Sequence, residues 1–250
     1  MIEKVGLGTA ILLWNMDRAF KLAREHNLGV EILPLRWHTL KYVKKLKNKY
    51  PEVKVLTVHS SFYRDFKTFK RNLKHTKKEG MSRTFLNDWL WLACIGTVMS
   101  NPGRSIADEY NCPLVVHPQV YYPGIYKNSA IENPARHEPC RLSLSEIRKY
   151  FSDQKRVLDV SHIAHNRLDL LKAYEIMNPD IIHFSDSRIG CHDHFPPGYG
   201  EMPLGDLLKI AQASKKKITL IIELFPFRAS NIEDNIATTV KFLEDHGVKW

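Results

Sequence analysis

IIHFSDSRIGCHDHFPPGYGEMPLGDLL, residues 181–208, contains in order an apolar β-rich run, a loop crowded with His and Asp, a Pro- and Gly-rich turn, and the start of an amphipathic helix. Buried strand, polar loop and covering helix in that order make the βα unit of a parallel sheet. The same alternation repeats outward in both directions. Strand-like runs fall at 5–10, 29–35, 53–61, 113–119, 129–134, 156–162, 180–187 and 218–225. Helix-period stretches separate them: MDRAFKLAREHN, HTLKYVKKLKNKY, the region 84–110, SLSEIRKYF, RLDLLKAYEIM, PLGDLLKIAQAS and NIEDNIATTVKFLEDHG. Asn15, Ser143 and Asn231 stand as N-caps before the apolar periodicity, and Gly247 stands as a stop after the last helix. The fourth and fifth runs lie too close together for a full helix between them. Eight strands in 250 residues match a single-domain α/β protein, a (β/α)8 TIM barrel spanning 1–250.

Composition narrows the setting. The opening MIEKVGLG lacks a basic start followed by an apolar stretch, and the longest apolar run, LWLACIGTVM at 90–99, is about half of the roughly 20 residues a membrane-spanning helix requires. A soluble cytoplasmic protein with no membrane partner is the expectation. Cys94, Cys112, Cys140 and Cys191 show no paired spacing and are expected to be reduced thiols. Net charge is +10, and residues 64–83 carry eight Lys or Arg against Asp65 and Glu79, so that one segment supplies six of the ten. Such a run is either a solvated face or a rim that attracts anions, with Lys70, Arg71 and Lys74 as its candidate phosphate contacts.

In a barrel of this kind the working residues sit where strands end, because all eight strand ends open on one face. His59, His117, Glu132, Asp159, His162, His183 and Glu223 fall at or near such ends, and His192, Asp193 and His194 lie in the loop after the seventh strand. A single His at a strand end is most often a hydrogen-bonded structural residue. Jointly, however, several carboxylates in one cup would repel one another unless cations compensated them. Imidazoles mixed with carboxylates suit Zn, with Mn, Fe or Co as alternatives, over Mg or Ca. About nine ligand positions point to two or three ions.

HSS after the third strand, VVHP in the fourth, IENP in the fifth, LDVSH in the sixth, IIHFSDS with HDHFPPGYG, and IIEL in the eighth together resemble the xylose isomerase-like TIM-barrel superfamily. That superfamily includes endonuclease IV, or AP endonuclease family 2, and sugar-phosphate isomerases and epimerases. The resemblance implies that Glu132, Asp159, His183 and Glu223 hold a metal as in the epimerases, with His162 contacting substrate. It equally implies that His59, His117, His162 and His194 add the imidazoles of the three-zinc nuclease. His192 stands where the nuclease has Asp, with Asp193 displaced by one, and Tyr199 stands where the family more often has Glu.

Two enzymatic expectations follow. The first is a multinuclear, Zn-type phosphoesterase acting on a phosphodiester or apurinic-site DNA, with Glu132 in a bridging position. In it, Gly198 and Gly200 offer backbone N–H groups to a phosphate, with Arg188 nearby. The second is a metal-dependent sugar or sugar-phosphate isomerase or epimerase, in which Glu132 and Glu223 exchange a proton as acid and base. A basic nucleic-acid-binding module, with Phe62, Tyr63, Phe66 and Phe69 as aromatics, ranks third because it ignores the carboxylates.

Overall fold

In a computed structural model the chain forms a closed barrel of eight parallel strands, ordered β1 to β8 with β8 paired back onto β1. The structure describes residues 1–12, 15–34, 38–60, 102–117, 129–136, 142–225 and 231–250. The strands are β1 (Ile2–Gly8), β2 (Gly29–Ile32), β3 (Val55–His59), β4 (Leu114–Val116), β5 (Ser129–Glu132), β6 (Lys155–Asp159), β7 (Ile181–Phe184) and β8 (Ile218–Ile222). Among the described residues the helices are α1 (Met16–Glu25), α2 (Leu40–Lys49), α3 (Pro102–Glu109), α4 (Leu144–Tyr150), α5 (Val160–His165), α6 (Leu170–Met177), α7 (Leu204–Ala213) and α8 (Ile232–Asp245), with a 3-10 turn at Thr9–Leu12. The basic segment with Lys70, Arg71 and Lys74, the aromatics of 62–69, Cys94, Cys140 and the 118–128 connection lie outside the described residues.

The helices begin where short polar side chains satisfy the first N–H groups. Asn15 accepts from Arg18 N, Asn231 accepts from Glu233 N, and Ser143 and Glu146 form a reciprocal capping box. Gly247 follows α8 at φ 73°. One boundary differs from the sequence expectation. The sixth strand stops at Asp159, and Val160–His165 turns into a short helix because the Asp159 carboxylate accepts the His162 N–H at 2.8 Å. His162 therefore sits on a helical turn directly beyond the strand.

The main apolar core lies between strands and helices, including Leu7, Phe20, Val30, Phe151, Phe184 and Leu207. A second, smaller cluster joins Val115, Ala130, Val157, Ile181 and Ile221, with Leu56 packed against it. These five residues come from five different strands or strand ends, and each lies two positions before a candidate site residue: His117, Glu132, Asp159, His183 and Glu223. Since strand side chains alternate faces, an apolar residue on the inner face dictates that the residue two later also points inward, one layer nearer the mouth. Pairing registers align Glu132 with Val157 and Asp159 with His183. β3 adjusts its own phase. Its register with β2 passes from Val30↔Val55 to Glu31↔Thr57, a bulge at Leu56 that lets Leu56 fill the space beside Gly29 while Thr57 and His59 still face the cup.

Candidate metal centre

Glu132, 1% exposed at its side chain, faces four imidazoles of the cup. Its Oε2 lies 3.0 Å from His59 Nε2 and 3.3 Å from His117 Nε2, and its Oε1 lies 3.4 Å from His162 Nδ1 and 3.6 Å from His183 Nδ1. Burial would raise its pKa, but the imidazoles of His117, His183 and His59 outweigh that and hold it well below the usual carboxylate range. Asp159 is likewise held low: His162 and His194 overcome the cost of its burial. His183 moves the other way. Burial would lower it, yet Glu31, Glu223 and Glu132 together raise it well above the ordinary histidine range, and His59 is raised by Glu132 and Glu31 against the same penalty. In the metal-free protein, imidazolium protons balance the carboxylates.

Backbone contacts fix which ring nitrogen carries the proton. A carbonyl oxygen only accepts, so the nitrogen facing it must be the N–H. His59 Nδ1 donates to Ser60 O at 3.0 Å, His162 Nδ1 to Asn133 O at 2.7 Å, and His194 Nδ1 to Glu223 O at 3.2 Å. Each of these rings when neutral presents Nε2 as a lone pair. Asn133 also clamps β5 to β6, donating from Nδ2 to Asp159 O at 3.2 Å and accepting from Asp159 N at 2.7 Å. His183 is reversed: its Nε2 faces a Glu31 oxygen at 3.2 Å, which leaves Nδ1 toward Asp159, Glu132 and Glu223.

The fit to a cation rests on three atoms. Asp159 Oδ2, His183 Nδ1 and Glu223 Oε2 are buried with no hydrogen-bonding partner. His183 Nδ1 stands 3.8 Å from Asp159 Oδ2 and 3.0 Å from Glu223 Oε2, and one ligand atom from each of the three residues lies within 4.8 Å of the others. Buried polar atoms without a hydrogen bond are costly, and convergence of three at ligand spacing is what a divalent ion would relieve. Further metal-capable groups share the cup: His59 with Glu132 and His183, His117 with Glu132 and His162, and His162 with His192 and His194. His192 Nε2 and His194 Nε2 face each other at 2.8 Å. His194 takes a left-handed φ of 50°, held by its N–H contacts to Ser161 Oγ at 3.2 Å and Ser187 Oγ at 3.3 Å.

Of the residues expected from sequence, nine converge: His59, His117, Glu132, Asp159, His162, His183, His192, His194 and Glu223. The loop residues take other partners. Asp193 is 1% exposed and paired with Arg188, whose Nε and Nη2 donate to its two oxygens at 2.9 and 3.1 Å. Among the described residues it belongs to none of the metal-capable groups, whereas His192 joins the imidazoles, and the Arg188 guanidinium is paired with Asp193. Gly198 and Gly200 give their N–H groups to Asp186 Oδ2 at 2.9 and 3.0 Å, and Met202 N donates to Oδ1 at 3.1 Å. The Asp186 carboxylate thus fills the anion position that those glycines were expected to offer a substrate. A Cβ at residue 200 would collide with Asp186 and the Ser187 backbone, which is why glycine stands there. Glu31 and Asp186 were missed. An acidic residue inside the otherwise apolar GVEI was the available signal for Glu31; nothing local distinguishes Asp186 from an ordinary turn residue.

No family model and no curated protein matches the chain. Solved structures do. A D-tagatose 3-epimerase-like protein superposes at TM-score 0.68 and 18% identity over 98% of this chain and 97% of its own. The 3-keto-D-glucoside 4-epimerase YcjR from E. coli does so at 0.63 and 14%, covering 95% and 99%. The IolI protein with a binding zinc atom follows at 0.55 and 15%, covering 98% of each chain. Xylose isomerase domain proteins are also among the matches. The chain shares the (β/α)8 TIM-barrel fold of these proteins.

Proposed function

We propose that this xylose isomerase-like barrel is a divalent-metal-dependent isomerase or epimerase of a sugar or sugar phosphate. Glu132, Asp159, His183 and Glu223 hold the ion, and Glu132 and Glu223 form the proton-transferring pair. The observation that carries the reading is the convergence of Asp159 Oδ2, His183 Nδ1 and Glu223 Oε2, buried and without a hydrogen bond, beside Glu132. When bound, the ion supplies Lewis acidity to a carbonyl and an adjacent hydroxyl, acidifying the neighbouring C–H. One glutamate takes that proton and the other delivers a proton, to the opposite face of the same carbon for epimerisation or to the neighbouring carbon for isomerisation. Glu223 is 15% exposed toward the mouth while Glu132 is 1% exposed, so the two meet a substrate from different depths. His162, 5% exposed and oriented by Asn133, directs Nε2 toward a substrate hydroxyl.

The order drawn from sequence is thereby reversed, since the structural matches bear the names of epimerases and xylose isomerase-type proteins. Phosphoester hydrolysis stays as the second reading on one observation: His162, His192 and His194 form a metal-capable group apart from Asp159, His183 and Glu223, and Glu132 is shared by two more. A cup able to hold several ions suits in-line displacement at phosphorus, with phosphorylated sugar or apurinic-site DNA as substrate. Incubation with a panel of ketoses and ketose phosphates in deuterated water separates the two. The isomerase reading expects deuterium at the carbon beside the carbonyl, dependent on Glu132 and Glu223. No exchange, with cleavage of apurinic duplex and two or more ions per chain, would establish the second reading instead.

A further inference from the structure

We propose that Glu31 is a positioning residue that fixes His183 as a metal ligand by holding its far ring nitrogen. The inference rests on the proposed metal-binding role of Asp159, His183 and Glu223, and extends it to a residue on a strand that contributes no ligand. Glu31 sits in β2 within the sequence GVEI, 3% exposed, and belongs to none of the metal-capable groups among the described residues. A carboxylate there loses its hydration and needs compensation. Two partners provide it. Thr57 Oγ1 donates to Glu31 Oε2 at 2.7 Å, and His183 Nε2 lies 3.2 Å from the same oxygen.

An ionised carboxylate accepts and cannot donate, so this contact places the His183 proton on Nε2. In the neutral ring that a metal requires, the lone pair is then on Nδ1, the atom that lies 3.0 Å from Glu223 Oε2, 3.6 Å from Glu132 Oε1 and 3.8 Å from Asp159 Oδ2. The carboxylate also makes Nδ1 more basic and limits rotation of the ring. A neutral amide at position 31 could present N–H to Nε2 and allow the proton to move to Nδ1, facing the carboxylates with a hydrogen in place of a lone pair.

The test is Glu31→Gln, read by Co²⁺ binding to the full-length, metal-stripped protein through its visible d–d absorption, alongside thermal melting of the stripped protein. We expect Co²⁺ affinity to fall by about 10- to 100-fold, the range for losing a carboxylate behind a metal-bound histidine, with an altered spectrum and a cooperative melt. Thr57→Val keeps the Glu31 carboxylate but removes one of its donors; a smaller loss in the same direction is expected. Glu31→Gln binding Co²⁺ as tightly as the parent, with the same spectrum, overturns the proposal. So does a loss of affinity with the spectrum unchanged at saturation, which would mark a merely structural role. Should Glu31→Gln fail to fold, unchanged affinity in Thr57→Val overturns it. A parent protein that binds no Co²⁺ at all sinks the metal reading, and this proposal with it.

Discussion

The strand-borne and loop-borne halves of the cup behave differently. On the strands, Glu132, Asp159, His183 and Glu223 stand two residues beyond a buried apolar partner, so their direction follows from the alternation of the sheet. In the 185–202 loop, direction follows from contacts that no periodicity announces. Asp186 gathers the N–H groups of Gly198, Gly200 and Met202, Asp193 turns to Arg188, and His194 is held in a left-handed conformation beside Ser161 and Ser187. Strand residues are therefore expected to govern chemistry and loop residues to govern the shape of the mouth.

The contrast can be broken most forcefully at Glu132. Glu132→Gln removes a proposed proton-transferring group and the charge that balances His59, His117 and His183, and turnover should fall by about 10²- to 10⁴-fold. Steady-state kinetics of the purified variant check this, and near-parental turnover would move the chemistry elsewhere.

A second effect is in the pH dependence of stability. Glu132 and Asp159 have lowered folded pKa values, so the stability they add is complete above the unfolded carboxylate range and is lost as pH falls through the lowered values. His59 and His183 have raised folded values, so their contribution is complete below the unfolded histidine pKa and is lost as pH rises through the raised values. The metal-free protein should thus melt highest between about pH 4.5 and 6.5, the gap between the two unfolded ranges. An added ion replaces the imidazolium protons, so the rise in melting temperature it causes should grow with pH. Parallel melting curves with and without Zn²⁺ would contradict this.

Smaller effects belong to the loop. Asp186→Asn replaces one acceptor oxygen by an amide facing backbone N–H donors and should cost about 1–3 kcal/mol of stability. Hydrogen exchange should accelerate at Gly198, Gly200 and Met202 while the strand amides stay protected; equal acceleration in both would erase the distinction. Arg188→Ala should change KM for a phosphorylated substrate least of all, because its guanidinium already serves Asp193. A large rise in KM would restore Arg188 as a phosphate contact.

All eight strands, the N-caps at Asn15, Ser143 and Asn231, and the convergence of the strand-borne candidate ligands in one cup were legible in the sequence, because they depend on spacing of two or on local capping. The turn of the chain into helix at Val160 was hidden, because Asp159 serves at once as the end of a strand, as a cap and as a candidate ligand. The acid inside GVEI marked Glu31 as unusual, but its role was hidden because its partner is 152 residues away. The glycines 198 and 200 were read as free donors because Asp186, 12 and 14 positions earlier, looked like an ordinary turn residue. Thiol chemistry was legible in part. Among the described residues Cys112 and Cys191 are free, and the Cys112 thiol is pushed up to about 12 by burial, so it stays protonated. No helix among the described residues is long and apolar enough to cross a membrane.

The metal centre is tested most directly by calorimetric titration of the metal-stripped protein with Zn²⁺ or Mn²⁺, parent against Asp159→Asn and His183→Gln. At least one tightly held ion per chain is expected in the parent, with that tight site lost in both variants. Binding that is absent in the parent, or that survives both substitutions unchanged, would contradict the assignment of Asp159 and His183 as ligands.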